Sequence, residues 1–128
     1  MNKVVLDASA LLALIKNESG AKVVEELLGN IIMSSVNVTE VAGILLDSDM
    51  SLEEAQEAIE PFIDSIVSFD LEYSMACASL KKITKHLGLS LGDRACIALG
   101  VKLKLPIYTA DRVWKELQLE GADIKLIR

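Results

Sequence analysis

Short apolar runs alternate with segments of helical periodicity along this chain, and that alternation is the strongest constraint on its fold. Five mostly apolar runs have the length of buried strands. They span 3–6, 30–33, 65–69, 106–109 and 123–127. Because parallel neighbouring strands need helical crossovers, we predict a three-layer α/β/α sandwich around a mostly parallel five-stranded sheet.

Capping residues mark where the intervening helices begin and end. The segment 51–54, Ser-Leu-Glu-Glu, matches a capping box, and Gly29 suits the position that follows a helix. Ser35 and Asp70 are predicted N-caps, and further helices are predicted to begin at Ala8, Asp93 and Asp111, with Gly121 ending the last. The Asp70 helix is predicted to continue to Leu87.

The chain length of 128 residues, 52% of them hydrophobic, predicts one domain over 1–128 with an aliphatic core. Its only two cysteines, Cys77 and Cys96, lie in apolar helical stretches and are interpreted as reduced core residues of a cytoplasmic protein. Asp7 interrupts the apolar N-terminal stretch, which argues against a signal peptide. No apolar run is long enough to span a bilayer, so no membrane association is expected.

The formal charge of −6 argues against a nucleic-acid binder that works through a broad basic surface. It leaves room for an enzyme that approaches nucleic acid through metal ions, because bound divalent cations would offset part of that charge. Lys81 and Lys85, or Lys102 and Lys104, are candidates for the border of an RNA groove, although lysine faces of helices are commonly just solvated.

Four acids, Asp7, Glu40, Asp93 and Asp111, lie where apolar runs start or stop. Each alone is also typical of a helix cap or a solvated helix position. In an open α/β sheet, however, positions beyond the carboxyl ends of the strands converge on one crevice. We therefore predict that these four carboxylates form one divalent-metal site.

Electrostatics favours a cation between such carboxylates. Two like charges about 4 Å apart cost roughly 4 kcal/mol at the effective dielectric of a protein surface. Oxygen-only ligands select hard cations, so Mg²⁺ or Mn²⁺ is the expected cofactor. Such an ion activates water and offsets charge on a phosphorane, which favours phosphodiester hydrolysis as the reaction.

The segments around the four acids resemble those of the PIN-domain family, specifically the VapC-type toxins of toxin–antitoxin pairs. The segments that carry this resemblance are 5–9 (VLDAS), 34–41 (SSVNVTEV), 89–96 (LSLGDRAC) and 108–114 (YTADRVW). They occur in this order over nearly the whole chain.

The resemblance places the catalytic and metal-binding acids of the family on Asp7, Glu40, Asp93 and Asp111. It also matches Ser9, Asn37 and Thr109 to positions that orient carboxylates or water around a metal. It implies a Mg²⁺- or Mn²⁺-dependent endoribonuclease that cuts cellular RNA, is silenced by a VapB-type antitoxin and forms a homodimer. Arg94 and Arg112, which each follow an acid, are predicted either to contact phosphate or to form surface ion pairs.

Three alternatives compete with this hypothesis. A phosphorylation receiver domain would use Asp70 as phosphoacceptor and Asp7 as metal ligand, but it leaves Glu40, Asp93 and Asp111 unexplained. A haloacid-dehalogenase-like phosphatase would need an acid where Ser9 stands. An inactive PIN scaffold that only binds RNA or protein is disfavoured by the complete set of acids.

Overall fold

Five parallel strands form the centre of the computed structural model, which describes residues 2–128. The strands are β1 (Val4–Leu6), β2 (Ile31–Ser34), β3 (Ser65–Val67), β4 (Ile107–Thr109) and β5 (Ile124–Leu126). Their order across the sheet is β3-β2-β1-β4-β5, and each neighbouring pair is parallel. The predicted parallel five-stranded sheet is therefore confirmed.

Within residues 2–128, seven α-helices connect the strands and cover the sheet. They are α1 (Ala8–Ile15), α2 (Ala21–Glu25), α3 (Ser35–Asp47), α4 (Leu52–Ile59), α5 (Leu71–Ser79), α6 (Lys81–Thr84) and α7 (Leu91–Leu103). Three short 3₁₀ segments span Glu60–Phe62, Lys85–Leu87 and Arg112–Glu116.

Alternate residues of the central strand β1 pack into two separate hydrophobic cores. Val4 and Leu6 pack in one cluster with side chains of α1 and α3, whereas Val5 packs in the other with Ile107 and side chains of α7. Burying one such aliphatic side chain contributes about 1.5–3 kcal/mol. A strand with apolar residues on both faces is stable only between two helical layers, so the predicted three-layer sandwich is confirmed.

Two helices begin earlier than predicted. The N-cap of α3 is Ser34 rather than Ser35, and its hydroxyl accepts a hydrogen bond from the Val36 amide at 3.1 Å. The N-cap of α7 is Ser90 rather than Asp93. Asp93 instead completes a capping box from the third helical position, since its carboxylate accepts the Ser90 amide at 3.0 Å.

Two predicted helices also take a different form. The helix predicted from Asp70 to Leu87 is divided into α5, α6 and a 3₁₀ turn, and the chain reverses at Gly88 with φ of 65°. A residue without a side chain adopts this left-handed conformation at little cost. The predicted helix after Asp111 is a single 3₁₀ segment.

Cys77 and Cys96 are both buried and free, as predicted. In the part of the chain that the structure describes, no helix combines the length and the apolar character needed to cross a membrane.

Candidate metal centre

The carboxyl ends of β1 and β4 lie side by side where the direction of the strand connections changes. The chain proceeds from β1 to β2 on one side of the sheet and from β4 to β5 on the other. Ligands of open α/β sheets bind at such a switch point. Asp7 directly follows β1, and Asp111 lies two residues beyond the end of β4.

Asp7 is buried and held by donors on both carboxylate oxygens. Oδ1 accepts the Ala10 amide at 2.8 Å, which makes Asp7 the N-cap of α1. The Ser9 hydroxyl lies 2.8 and 2.9 Å from the two oxygens, and the Thr109 hydroxyl donates to Oδ2 at 2.6 Å. The carboxylate of Asp7 therefore has a fixed orientation.

Backbone amides orient the two hydroxyl groups towards Asp7. The Ala110 amide donates to the Ser9 hydroxyl at 2.9 Å, and the Asp111 amide donates to the Thr109 hydroxyl at 3.0 Å. Because each hydroxyl oxygen accepts a hydrogen bond from an amide, its own O–H group is free to donate to the carboxylate. The chain just beyond β4 thus positions an acid about a hundred residues away in sequence.

The pKa of the Asp7 carboxyl is raised to about 6, chiefly because burial disfavours its charged form. Hydrogen bonds from Thr109, Ala10 and Ser9 oppose the rise, and the negative charge of Asp93 adds to it. A nearby cation would offset this rise by stabilising the carboxylate.

Glu40 is positioned by Asn37, one turn earlier on α3. The Asn37 amide nitrogen donates to Glu40 Oε1 at 2.9 Å and to the Gly92 carbonyl oxygen at 3.0 Å, which ties α3 to the first turn of α7. Asn37 is 1% exposed, and its Oδ1 has no hydrogen-bond partner among the described residues. A buried oxygen without a donor is costly unless a water or a cation satisfies it.

Asp93 and Asp111 are held by the backbone amides that they cap. Asp93 accepts the Ser90 amide through Oδ2, and Asp111 Oδ1 accepts the Val113 amide at 3.1 Å. The interpretation of these acids as helix caps and their interpretation as site residues are therefore compatible. One carboxylate oxygen is used for the cap, and the other remains free to bind.

All four acids line one cleft of about 230 Å³. Ser9 and Asn37 also line it, and Leu12 and Ile44 provide an apolar border. Within residues 2–128, no three acidic, histidine or cysteine side chains are close enough to form a ready ligand cluster. The acids surround the cleft without meeting at a point, which suits an ion that keeps several of its waters, as Mg²⁺ does.

The residues present fit a divalent cation on three observations. The donors are all oxygens, the buried Asn37 Oδ1 atom has no hydrogen-bond partner among the described residues, and burial, with a smaller contribution from the charge of Asp93, raises the pKa of Asp7. The four acids that line the cleft are the residues that would hold the cation.

The structure separates the two predicted arginines from the four acids. Neither Arg94 nor Arg112 lines the acidic cleft. Arg94 turns to the other side of α7, where its Nη1 donates to the Leu89 carbonyl oxygen at 2.8 Å. Among the described residues, neither arginine forms the predicted surface ion pair.

Gly92 and Ser90 were not predicted as site residues, and both position acids. The pattern Ser90-x-x-Asp93 is a capping box, so sequence contained a signal for Ser90. Nothing in the sequence indicated Gly92, whose Cα packs directly against the Glu40 carboxylate.

We expect Gly92→Ala to displace Glu40 and to lower any metal-dependent activity of this cleft about tenfold or more. An added Cβ would lie 2.2 Å from Glu40 Oε2 and 2.4 Å from its Cδ, so the carboxylate must move. Misplacing a catalytic group by about 1 Å can cost about a hundredfold in rate. The unfolding free energy should change little, because the displaced atoms end a flexible side chain and alanine favours helix.

The matched control is Gly43→Ala on α3, where an added Cβ meets nothing within 4 Å. Steady-state rates and thermal unfolding of both variants check the prediction. A Gly92→Ala protein as active as Gly43→Ala would contradict the role of the close contact.

Comparison with known proteins identifies a family and a fold. The sequence model of the PIN domain matches residues 4–119. No curated protein matches the chain significantly. At the level of structure, the chain is similar to solved toxin–antitoxin and VapBC complexes.

Three of these structures illustrate the similarity. A chain of the DNA-bound VapBC from Salmonella typhimurium is 16% identical with a TM-score of 0.75, and the match covers 100% of both chains. A toxin–antitoxin complex from Klebsiella pneumoniae gives 16% identity, a TM-score of 0.75 and 98% of both chains. A chain of VapBC2 from Rickettsia felis, bound to a promoter DNA fragment, is 17% identical with a TM-score of 0.71. The match covers 96% of this chain and 97% of that chain. At these identities the similarity shows the fold alone.

Proposed function

The chain belongs to the PIN domain family, and we propose that it is a VapC-type toxin, a Mg²⁺- or Mn²⁺-dependent endoribonuclease that hydrolyses phosphodiester bonds of cellular RNA in the cytoplasm. The observation that carries this proposal is the convergence of Asp7, Glu40, Asp93 and Asp111 on one cleft at the switch point of the sheet. The family comprises nucleases in general, which agrees with the chemistry of such a cleft.

The four acids require a cation before a nucleic acid can approach. A phosphodiester carries a negative charge, and unscreened carboxylates lining the cleft would repel it. When bound, Mg²⁺ or Mn²⁺ makes water more acidic and offsets negative charge on the phosphate and the leaving oxygen.

Each residue of the cleft has a proposed task. Asp7 and Asp93 hold the principal cation, and Glu40 and Asp111 position the attacking water or a second cation. Ser9 and Thr109 fix the orientation of the Asp7 carboxylate, and Asn37 fixes Glu40.

The protein partner that we propose is a VapB-type antitoxin, with the toxin itself a homodimer. The similar structures from Salmonella typhimurium and Rickettsia felis are VapBC complexes. An apolar groove on this chain also supports protein contacts, because exposed apolar surface of this kind is typical of interaction sites. Leu52 and Ile66, exposed by 68% and 53%, both line it, together with Val38 and Ala42.

The test is cleavage of total cellular RNA by the purified, antitoxin-free protein. We expect discrete fragments with Mg²⁺ or Mn²⁺ and no cleavage when EDTA removes the metal, because carboxylates alone supply no charge that stabilises the transition state. Expression without antitoxin should also slow growth. Intact RNA in the presence of both metals, together with unimpaired growth, would overturn the proposal.

The receiver alternative gains no support from the position of its phosphoacceptor. Asp70 follows the edge strand β3 and serves as the N-cap of α5, accepting the Tyr73 amide at 2.9 Å. It does not line the cleft that contains Asp7.

A further inference from the structure

A second cleft, on the other side of the first turn of α7, is lined by cationic side chains. It has a volume of about 330 Å³ and includes Lys81, Lys82, Lys85 and Arg94, together with Thr84 and Gly88. None of the described residues that line it is acidic. In a protein with a formal charge of −6, this concentration of cations contrasts with the rest of the chain.

The three lysines of this basic cleft are available to an external anion. The ion pairs among residues 2–128 join Lys102 to Glu72, Lys125 to Asp123 and Arg128 to Glu18, and none involves the basic cleft. The three lysines are exposed, so their ammonium groups can reach a ligand without first breaking an internal contact.

The backbone around the basic cleft is well defined by local contacts. Thr84 is 1% exposed and donates to the Leu80 carbonyl oxygen at 2.8 Å, which anchors the lysine-bearing turn. Gly88, with φ of 65°, directs the chain towards α7. The Arg94 guanidinium is fixed by its hydrogen bond to the Leu89 carbonyl oxygen, and its buried Nε has no partner among the described residues.

The position of the basic cleft relates it to the acidic one. Asp93 and Arg94 are consecutive residues of α7, yet Asp93 lines the acidic cleft and Arg94 the basic one. Successive helical residues point about 100° apart, so the two clefts lie on different faces of the first turn of α7. A nucleic-acid strand with one phosphate at the acids can place a neighbouring phosphate at the cations.

We propose that Lys81, Lys82, Lys85 and Arg94 bind the phosphate backbone of the RNA substrate next to the position of cleavage. This inference rests on the proposed ribonuclease function and adds the position of the RNA backbone on the protein surface. Lysine and arginine contacts to phosphate carry most sequence-independent affinity for nucleic acid. The basic cleft thereby supplies the attraction that a chain of net negative charge otherwise lacks.

The test compares two triple variants of equal charge. One is Lys81→Gln, Lys82→Gln, Lys85→Gln. The control is Lys16→Gln, Lys22→Gln, Lys104→Gln, which removes three exposed lysines that line neither cleft. Both sets are made in an Asp7→Asn background to prevent cleavage, and binding of a short fluorescent single-stranded RNA of mixed sequence is measured by anisotropy at several salt concentrations.

We expect the basic-cleft variant to bind RNA about tenfold or more weakly than the control. The slope of the logarithm of the association constant against the logarithm of the salt concentration should become shallower by about 2, because each of the three lost phosphate contacts contributes about 0.7. Equal affinities and slopes for the two triple variants would overturn the inference. Thermal unfolding of both proteins establishes whether the fold is intact. If the basic-cleft variant is unfolded, the single variants Lys81→Gln and Lys85→Gln are measured in its place.

A small diester separates this inference from the proposed function. Bis(p-nitrophenyl) phosphate has a single phosphate and therefore has none to place at the lysines when that phosphate is at the acids, so the basic-cleft variant with Asp7 intact should hydrolyse it at the parental rate. Failure of the parent to hydrolyse it with either metal would count against the proposed function. A rate that falls with the lysine substitutions would count against the backbone-binding role alone.

Discussion

Replacing Asp93 with asparagine is expected to lower Mg²⁺-dependent RNA cleavage at least about thousandfold while leaving the fold intact. Loss of a metal-binding carboxylate removes several kcal/mol of transition-state stabilisation, and each 1.36 kcal/mol is about tenfold in rate. The helix should survive, because an asparagine oxygen can still accept the Ser90 amide that Asp93 accepts at 3.0 Å. Cleavage rates with saturating metal and circular dichroism provide the measurement.

Asp70→Asn is the matched control for this substitution. Asp70 is the N-cap of α5 and, like Asp93, accepts a backbone amide in the first turn of a helix through its carboxylate, but it lies outside the acidic cleft. Its substitution should therefore leave cleavage at the parental rate. An Asp93→Asn protein that retains a tenth or more of parental activity would remove Asp93 from the proposed metal site.

Replacing Asp7 with asparagine is expected to stabilise the metal-free protein increasingly as pH rises. The Asp7 carboxyl has a pKa of about 6 in the folded protein against an ordinary value of 3.8. Between these two values, the folded protein keeps a proton that the unfolded chain has lost, so the unfolding free energy falls as pH rises. The loss amounts to about 3 kcal/mol and is complete above the folded pKa.

Asparagine does not titrate, so Asp7→Asn lacks this loss. The difference in unfolding free energy between the variant and the parent should therefore grow by about 3 kcal/mol in favour of the variant from below pH 4 to above pH 6. Urea unfolding in EDTA at a series of pH values measures it. Added Mg²⁺ should stabilise the parent at neutral pH and have little effect on Asp7→Asn.

Parallel pH profiles for the two proteins would show that Asp7 does not carry a raised pKa. Together, the Asp93 and Asp7 substitutions test whether the acids that cleavage requires also lower the unfolding free energy of the metal-free protein. Like charges and burial destabilise the metal-free site, and these same features favour a cation.

Much of the fold was predictable because it depends on local patterns. The apolar runs predicted at 3–6, 30–33 and 106–109 contain β1, most of β2 and β4, and the crossover requirement made the sheet parallel. Helix form and helix starts were predicted less well. The segment from Asp70 to Leu87 is divided, and the segment after Asp111 is 3₁₀. Ser34 and Ser90 precede the predicted helix starts. Such positions depend on which of several neighbouring polar side chains reaches an amide, and spacing alone does not decide this.

The acids of the site were recognisable from sequence because they stand at strand ends and helix starts. Their catalytic role remains a prediction, whereas their convergence is visible in the structure. Arg94 illustrates what sequence could not provide. Its place beside Asp93 indicated either a phosphate contact or an ion pair, but the helical rotation places it in the separate basic cleft.

Residues close together in the chain specify the alternation of strands and helices, the parallel sheet and the four candidate acids, so these features could be predicted. Which distant groups meet depends instead on tertiary packing. Thr109 donates to Asp7, Gly92 admits the Glu40 carboxylate, and Lys81, Lys85 and Arg94 share one cleft. These contacts depend on how the sheet order brings β4 beside β1 and how α7 packs against α3, which no local spacing specifies.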